Sequence, residues 1–202
     1  MIRAFLAIDV SYVLRRKVAE LQNALREALL AGEARPARVS WAQPGSLHLT
    51  IKFLGDTDEQ LLDPLHDAIA RAIDNHRAIP IPLERVGAFP RAREPRVLWV
   101  GPSEAWERSE DARRLEDVHR AIDLACASLG FPRDDRPFDP HLTLARIKSG
   151  GRQVGLALSR LGTMERPNSL GPLDLRTIGF VKSDLSSGSA VHTTLWRVQT
   201  GT

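Results

Sequence analysis

Apolar residues recur at the spacing of an α-helix in four stretches of the chain. These stretches cover residues 12–30, 58–76, 109–129 and 153–161. In the first of them Leu14, Val18 and Leu21 follow one another every three or four residues, so they share one face of a helix. Gly32 comes just after this stretch and is typical of a helix end. The pattern therefore predicts four amphipathic helices, of which the last is short.

Other stretches are rich in aliphatic residues and lack the helical spacing, so they predict strands. They cover residues 3–10, 38–42, 46–54, 79–88, 96–101, 140–147, 173–181 and 190–198. Pro80 and Pro82 cannot donate ladder hydrogen bonds, which places the fourth strand at a sheet edge. Residues 186–189, Ser-Ser-Gly-Ser, predict a hairpin turn before the last strand. The residues between 89 and 95 predict a loop.

The order of these elements mixes hairpins with crossing helices. That order favours an α+β fold with antiparallel sheets over a doubly wound parallel sheet. The chain also lacks a glycine-rich phosphate loop of either the GxGxxG or the GxxxxGK type. Recognition of a phosphate would therefore need another kind of site.

Composition limits the function classes further. The chain has 202 residues, of which 43% are hydrophobic, and this suits one soluble domain of one or two lobes. A net charge of +3 does not demand a polyanion partner. Cys126 is the one cysteine, which excludes an intrachain disulfide and favours a reducing compartment. No segment is long and apolar enough for a secretory signal or a membrane span. We expect a single domain over residues 1–202, monomeric and cytoplasmic, that makes no membrane contact.

Two strand-like stretches contain nearly the same tetrapeptide, His48-Leu-Thr-Ile and His141-Leu-Thr-Leu. Side chains alternate between the two faces of a strand. His48 and Thr50 therefore share one face, as do His141 and Thr143, while the aliphatic residues between them face the core. If the two strands border one cleft, that cleft holds two imidazoles and two hydroxyl groups.

Such a set suits displacement at phosphorus without a metal. One histidine can take a proton from the attacking oxygen while the other gives a proton to the departing oxygen. Threonine hydroxyls can donate to the non-bridging oxygens. A third match, His192-Thr-Thr-Leu, lacks the same flanking residues and shows that the tripeptide alone is weak. A lone histidine in a strand is more often a structural or surface residue, and only the agreement over longer stretches favours catalysis by the first two.

The two tetrapeptides resemble the paired H-x-T-x motifs of the two-histidine (2H) phosphoesterase superfamily. Nearly the whole chain is similar to the bacterial RNA 2′,3′-cyclic phosphodiesterases, also called 2′-5′ RNA ligase-like proteins. The similarity also rests on Arg-Ala-Phe-Leu-Ala-Ile at residues 3–8, Gly-Ala-Phe-Pro at 87–90, Pro-Arg-Val-Leu-Trp-Val-Gly at 95–101 and the Phe-Asp-Pro that precedes His141. This resemblance implies a bilobal fold in which two antiparallel sheets, related by a pseudo-twofold axis, line a central cleft with helices outside.

The resemblance also implies an activity, the hydrolysis of an RNA or nucleotide 2′,3′-cyclic phosphate to a 2′-phosphate end. His48 would be the proton donor to the leaving ribose oxygen, His141 the base that activates water, and Thr50 and Thr143 the groups that hold the phosphate. No cofactor or metal is implied. The implied partners are RNA ends or cyclic nucleotides, tRNA fragments among them. Relatives often have an aromatic residue near the position of His192, and the departure leaves a substrate contact there open.

Other residues are weaker candidates for substrate binding. The alternation of a regular strand aims Lys52 at the cleft beside Thr50, where it would neutralise phosphate, although a lysine reaching solvent is equally expected. The same alternation aims Arg146 away from the cleft, so bracing of an acidic neighbour competes with phosphate binding there. Phe89 is a candidate for stacking on a base. The candidate set also includes three loop arginines and two tryptophans, for which solvation and core packing are the alternatives: Arg91, Arg93, Arg96, Trp41 and Trp99.

The sequence leaves three alternative functions open. The same fold could join or cleave 2′-5′ linkages in RNA. It could also be a non-catalytic RNA or nucleotide binding module, although both histidines and both threonines are intact. A metal site is a further alternative, but the residues two positions after each histidine are threonines, which leaves too few ligands.

Overall fold

The computed structural model describes residues 1–31, 34, 37–186 and 189–201. Within these ranges the chain forms four helices: α1 Tyr12–Ala31, α2 Leu62–Ile73, α3 Glu110–Ala127 and α4 Gly151–Arg160. The first five strands are β1 Ile2–Asp9, β2 Arg38–Trp41, β3 His48–Thr57, β4 Ile79–Pro82 and β5 Arg85–Phe89. The remaining five are β6 Val97–Gly101, β7 Leu142–Ser149, β8 Pro172–Leu175, β9 Thr177–Ser186 and β10 Ser189–Gln199. Short 3₁₀ turns cover Pro44–Ser46, Glu59–Leu61 and Trp106–Arg108.

The four predicted helices are all present, and the predicted α+β class with antiparallel pairing is confirmed. Two predicted strands are each divided in the structure. Residues 79–88 form β4 and β5, and residues 173–181 form β8 and the start of β9. The division arises because β4 and β8 pair with each other in a small separate sheet. Gly32 and the central residues 187 and 188 of the predicted hairpin turn lie outside the described residues.

The main sheet has eight strands. Seven of them follow the order β10-β9-β1-β3-β7-β6-β5, and β2 pairs with β7. The strands β10, β9, β1 and β3 form one half, and β7, β6, β5 and β2 form the other. The halves meet at one backbone pairing, between Leu49 of β3 and Leu142 of β7. The predicted pair of antiparallel sheets is thus joined into one sheet at the centre of the molecule.

One face of this sheet is covered and the other is open. Leu6, Leu49, Leu142 and Leu144 point to the covered face and join buried residues of all four helices in one core cluster. The open face carries Phe5, Ala7 and Val181 as a separate small cluster. None of the helices in the described part of the chain combines the length and the apolar character that crossing a bilayer requires.

Directly after its motif, each of the two motif strands contains an extra residue relative to its neighbour, and β3 contains a second one at Leu54. Leu6 pairs with Lys52 but Ala7 pairs with Thr50, so Ile51 is the extra residue in β3. Leu98 pairs with Ala145 but Trp99 pairs with Thr143, so Leu144 is the extra residue in β7. Each bulge reverses the face on which the following side chains lie. The halves therefore repeat one local pattern directly after each motif, whereas the full pseudo-twofold relation stays a prediction.

Candidate functional site

The central pairing places both motifs on one surface. Because Leu49 lies opposite Leu142 in an antiparallel pair, His48 lies opposite Thr143 and Thr50 lies opposite His141. The two leucines are fully buried on the covered face, so the four polar side chains lie on the open face. The structure thus brings together the four residues predicted from the repeated tetrapeptide.

The spacing at this junction suits a small anion. In a regular antiparallel pair, diagonal neighbours such as His48 and His141 are about 7–8 Å apart at their backbones. β7 pairs with β3 at Leu142, but further along the same edge β7 pairs with β2 instead, through Ala145 and Arg146. β3 and β7 therefore pair only around the two motifs.

Both imidazoles are held in the same way. The Nδ1 atom of His48 lies 2.7 Å from the carbonyl oxygen of Ser46, and that of His141 lies 2.7 Å from the carbonyl oxygen of Asp139. A carbonyl can only accept, so Nδ1–H must donate in each ring. The Nε2 atom of each neutral ring is then an acceptor that is free to take a proton, and each Nε2 can donate once its ring is protonated.

Aromatic rings surround His48. Phe5 stacks on the imidazole with a centroid distance of 4.6 Å and an interplanar angle of 27°. His192 of β10 meets the His48 ring edge-on at 5.0 Å, and its own buried Nδ1 has no hydrogen-bond partner among the described residues. These contacts fix the plane of the His48 ring and remove water from its sides.

A comparable arrangement borders His141. Phe89 lies edge-on to this imidazole at 5.0 Å, and Trp99 lies 6.1 Å from it. Trp99 lies flat over Gly87, where an added Cβ would come within 2.1 Å of the indole. Gly87 thus permits the tryptophan to lie beside the site. Phe89 thus lies beside His141, its contact with a base stays a prediction, and Trp99 is both packed and next to His141.

Burial lowers the pKa of His48 from 6.5 to about 4. The hydrogen bond to the Ser46 carbonyl and the charge of Asp9 act in the opposite direction, while His192 and Arg146 add to the lowering. His48 is therefore neutral at pH 7 in the ligand-free protein. An anion bound beside the ring would favour its charged form and raise the pKa.

This lowered pKa predicts a specific pH dependence of stability. Because the unfolded chain protonates His48 near pH 6.5 and the folded chain only near pH 4, the unfolded state binds more protons between these values. The free energy of unfolding should therefore fall as the pH drops from 6.5 towards 4. The ring is partly exposed, so we expect about 1–2 kcal/mol from His48, less than the full shift would give. Urea unfolding at pH 7 and pH 4.5 measures it, with His48→Gln as the comparison. An equal pH dependence in both proteins would contradict the assignment.

The prediction that Lys52 faces the cleft is wrong. The bulge at Ile51 turns Lys52 to the covered face, where its side chain is 1% exposed. Its Nζ atom lies 2.7 Å from Asp123 Oδ1 and 3.1 Å from Asp134 Oδ1, and it donates to the Pro132 carbonyl at 3.0 Å. Burial lowers the pKa of Lys52, but the hydrogen bonds to the two carboxylates outweigh it and raise the pKa overall. Lys52 thus joins β3 to α3 and to the loop before His141.

The predicted direction of Arg146 is wrong for the same reason. The bulge at Leu144 turns Arg146 to the open face, where the residue is exposed and its charge contributes to lowering the pKa of His48. Arg146 therefore lies on the side on which a phosphate would bind. Trp41 lies elsewhere, packed against the core with Arg26 above its ring at 5.3 Å. The three loop arginines, Arg91, Arg93 and Arg96, are exposed.

One pocket borders the surface that carries the motifs, and a second pocket lies away from it. One of about 150 Å³ adjoins His48 and is also lined by Arg15, His192 and Arg197. A larger one of about 360 Å³ lies around His76 and Arg114, on the helical side, and contains neither motif histidine. The smaller pocket thus adjoins only one of the two motif histidines. Within the described ranges, no group of three or more His, Cys, Asp or Glu side chains is arranged to hold a metal ion.

Sequence reasoning missed Phe5 and His192 as neighbours of His48. Phe5 lies in a run that is apolar on both faces, so alternation does not reveal which face it takes. His192 was visible as a third H-x-T match, but its contact depends on the strand order β10-β9-β1-β3, which spans nearly the whole chain. The ion pair of Asp9 with Arg197 also depends on that order.

Comparison with known proteins adds to this geometry. The family model described as the 2′-5′ RNA ligase superfamily matches residues 16–157. A protein of Methanothermobacter thermautotrophicus, named RNA 2′,3′-cyclic phosphodiesterase, is 28% identical over 95% of each chain. One of the same name from Archaeoglobus fulgidus is 29% identical over 94% of this chain and 96% of the relative.

Solved structures show the same fold. The structure of E. coli LigT complexed with 3′-AMP is similar over 98% of each chain, with a TM-score of 0.73 and 22% sequence identity. The protein TT0787 of Thermus thermophilus is similar over 98% of this chain and 97% of its own, with a TM-score of 0.65 and 26% identity. The fold therefore has counterparts in known proteins over nearly the whole chain.

Proposed function

This chain belongs to the 2′-5′ RNA ligase superfamily, and from that premise we propose that it hydrolyses RNA or nucleotide 2′,3′-cyclic phosphates to 2′-phosphate ends. The observation that carries the proposal is the pairing of Leu49 with Leu142, which places two imidazoles and two hydroxyl groups on one open surface. The names of the relatives, RNA 2′,3′-cyclic phosphodiesterase, agree with this chemistry. An acid, a base and neutral donors around one phosphorus are what such a hydrolysis needs.

In the proposed reaction, water attacks the phosphorus from the side of His141. The Nε2 atom of His141 takes a proton from that water as the new P–O bond forms. The bond from phosphorus to the ribose 3′-oxygen breaks, and Nε2 of His48 donates a proton to this oxygen. The product keeps its phosphate on the 2′-oxygen. Each imidazole is suited to its step because its Nδ1–H already donates to a backbone carbonyl, which leaves Nε2 for the transfer.

The acid must carry a proton before it can donate one. His48 is neutral at pH 7 without ligand, since burial lowers its pKa to about 4. The negative charge of a bound cyclic phosphate favours the imidazolium and raises that pKa. Substrate binding would thus favour protonation of His48, which then acts as the general acid. Thr50 and Thr143 would donate to the non-bridging oxygens, and Arg146 would balance part of their charge.

We expect purified protein to convert adenosine 2′,3′-cyclic phosphate to adenosine 2′-phosphate at an unchanged rate in the presence of EDTA. The plot of rate against pH should be bell-shaped, because one imidazole must be neutral and the other charged. The limb of the bell that reports the pKa of His48 should lie at higher pH in the kcat profile than in the kcat/KM profile. The reason is that kcat reports pKa values in the substrate complex, whereas kcat/KM reports those of the free enzyme. Both profiles are measured by chromatography of the products formed at a series of pH values.

Three outcomes would count against the proposal. Tight binding of the cyclic nucleotide without turnover would make the protein a binding module. Loss of activity with EDTA, restored by a metal ion, would replace the paired-imidazole mechanism. Formation of adenosine 3′-phosphate would mean that the other P–O bond breaks and that the leaving oxygen has been misassigned.

A further inference from the structure

The pocket beside His48 lies on the side of that residue away from His141. Its lining comes from α1, β1, the turn before β3, and the outer strands β9 and β10, and His141 is not part of it. Along the strand order, this places the pocket outward from β3, in the half of the sheet opposite to β7. A ligand that filled both the junction and this pocket would extend across β1 and β9.

Two guanidinium groups border the pocket, and among the residues that the structure describes only that of Arg197 has an ion-pair partner. Arg197 donates to Asp9 Oδ2 from Nε at 3.0 Å and from Nη2 at 2.8 Å, which fixes its position. Arg15 makes no ion pair within the described part of the chain, and its buried Nε has no hydrogen-bond partner there. One carboxylate therefore faces two cations, which leaves a net positive charge beside His48. Thr194 adds a hydroxyl group to the lining.

The size and the chemistry of this pocket favour a phosphate group. About 150 Å³ bordered by guanidinium groups fits a compact anion, and a guanidinium can bind phosphate through two parallel hydrogen bonds. A nucleobase would need flat apolar faces on both sides. The aromatic rings nearest the pocket do not provide these, since Phe5 is already stacked on His48 and meets His192 edge-on.

We propose that this pocket binds the 5′-phosphate of the nucleotide whose 2′,3′-cyclic phosphate lies between the histidines. This inference rests on the proposed function, in which His48 protonates the ribose oxygen. The ribose then lies on the side of His48, and the group attached to its 5′-carbon extends outward towards Arg15. In RNA this group is the phosphodiester that joins the last nucleotide to the preceding one. The substrate class is therefore an RNA end or a 5′-phosphorylated nucleotide, and a nucleoside 2′,3′-cyclic phosphate is a poorer substrate.

Calorimetry with two unreactive product ligands tests the pocket without any turnover. Adenosine 2′,5′-bisphosphate should bind about tenfold or more tightly than adenosine 2′-phosphate, because hydrogen bonds between charged groups are added. Arg15→Gln should remove this preference, and Arg15→Lys should retain part of it through its charge. Arg16→Gln is the matched control, because Arg16 is the next residue of α1, is exposed and does not line the pocket. It should keep the full preference.

The result separates this inference from the proposed function. Hydrolysis of the cyclic nucleotide together with equal binding of the two ligands would overturn the pocket assignment and leave the function intact. A clear preference that depends on Arg15, in a protein that does not hydrolyse the cyclic nucleotide, would support the pocket and overturn the function. Loss of the preference in both Arg15→Gln and Arg16→Gln, or no measurable binding of either ligand, would also overturn the pocket.

Discussion

Alanine at either His48 or His141 is expected to lower the turnover of a 2′,3′-cyclic phosphate by about 10²–10⁴-fold, the usual contribution of one acid or base. Each substitution removes one of the two Nε2 atoms through which protons move, and the aliphatic neighbours that build the strand stay unchanged. His76→Ala is the control, because His76 lies after α2 and contacts neither motif. Steady-state rates with the three variants test the expectation. Turnover within a few fold of the parent in either motif variant would remove that residue from the mechanism.

A modified substrate can separate the two roles. When the bridging 3′-oxygen of the cyclic phosphate is replaced by sulfur, the leaving group departs as a thiolate and needs no proton. The defect of His48→Ala should then shrink to less than about tenfold, since the general acid is no longer needed. The defect of His141→Ala should stay, because water must still lose a proton. The opposite pattern would exchange the two assignments.

Asp123→Ala is expected to have the largest effect on stability, a loss of about 3–5 kcal/mol in the free energy of unfolding. The carboxylate is 4% exposed and accepts hydrogen bonds from Lys52, from Arg133 and from the backbone N–H of Asp134. Burial raises the pKa of Asp123, but these hydrogen bonds outweigh it and lower the pKa to about 2. Removing the carboxylate leaves Lys52 as a buried cation with one fewer partner, and burying an incompletely paired charge is costly.

Urea unfolding of paired variants tests the origin of this effect. Asp117→Ala is the control, because Asp117 lies on the same helix in an exposed pair with Arg120 and should cost less than about 1 kcal/mol. The double variant Lys52→Met with Asp123→Leu should be far less destabilised than Asp123→Ala, since it leaves no unpaired charge. A loss below about 1 kcal/mol for Asp123→Ala would mean that water reaches the pair. The stabilisation should also persist above pH 3.8 and decline as the pH falls towards 2, because the carboxylate must then be protonated.

The same cluster connects the two motifs. Lys52 follows Thr50 in β3, and its hydrogen bonds reach the Pro132 carbonyl and Asp134 in the segment that leads to His141. His119 lies 3.2 Å from Asp134 and stacks on Phe138 at 4.4 Å, so this segment is held from a second side. The two histidines are thereby fixed relative to each other by contacts on the covered face as well as by the backbone pairing.

Local patterns were enough to predict the helices and the four motif residues. Helical spacing is set by neighbours within a few residues, and the repeated tetrapeptide shows its alternation directly. The directions of Lys52 and Arg146 were wrong because they depend on bulges at Ile51 and Leu144. A bulge is a mismatch between two strands, and the sequence of one strand does not contain it.

The contacts of His48 required still longer-range information. β10 reaches this residue only because it is added to the sheet beyond β9 and β1, and its partners are far away in sequence. The two divided strands have the same cause. β4 and β8 leave the main sheet because they pair with each other, and alternation within each segment does not reveal its partner.

The mechanism requires that the two imidazoles act on a single phosphate. It is tested most directly by ¹⁵N NMR of both rings during titration with adenosine 2′-phosphate. We expect the Nε2 signals of His48 and His141 to change together, with one dissociation constant, and the pKa of His48 to rise from about 4 on binding. A change in only one ring, or two different dissociation constants, would mean that the rings serve separate sites and would contradict the mechanism.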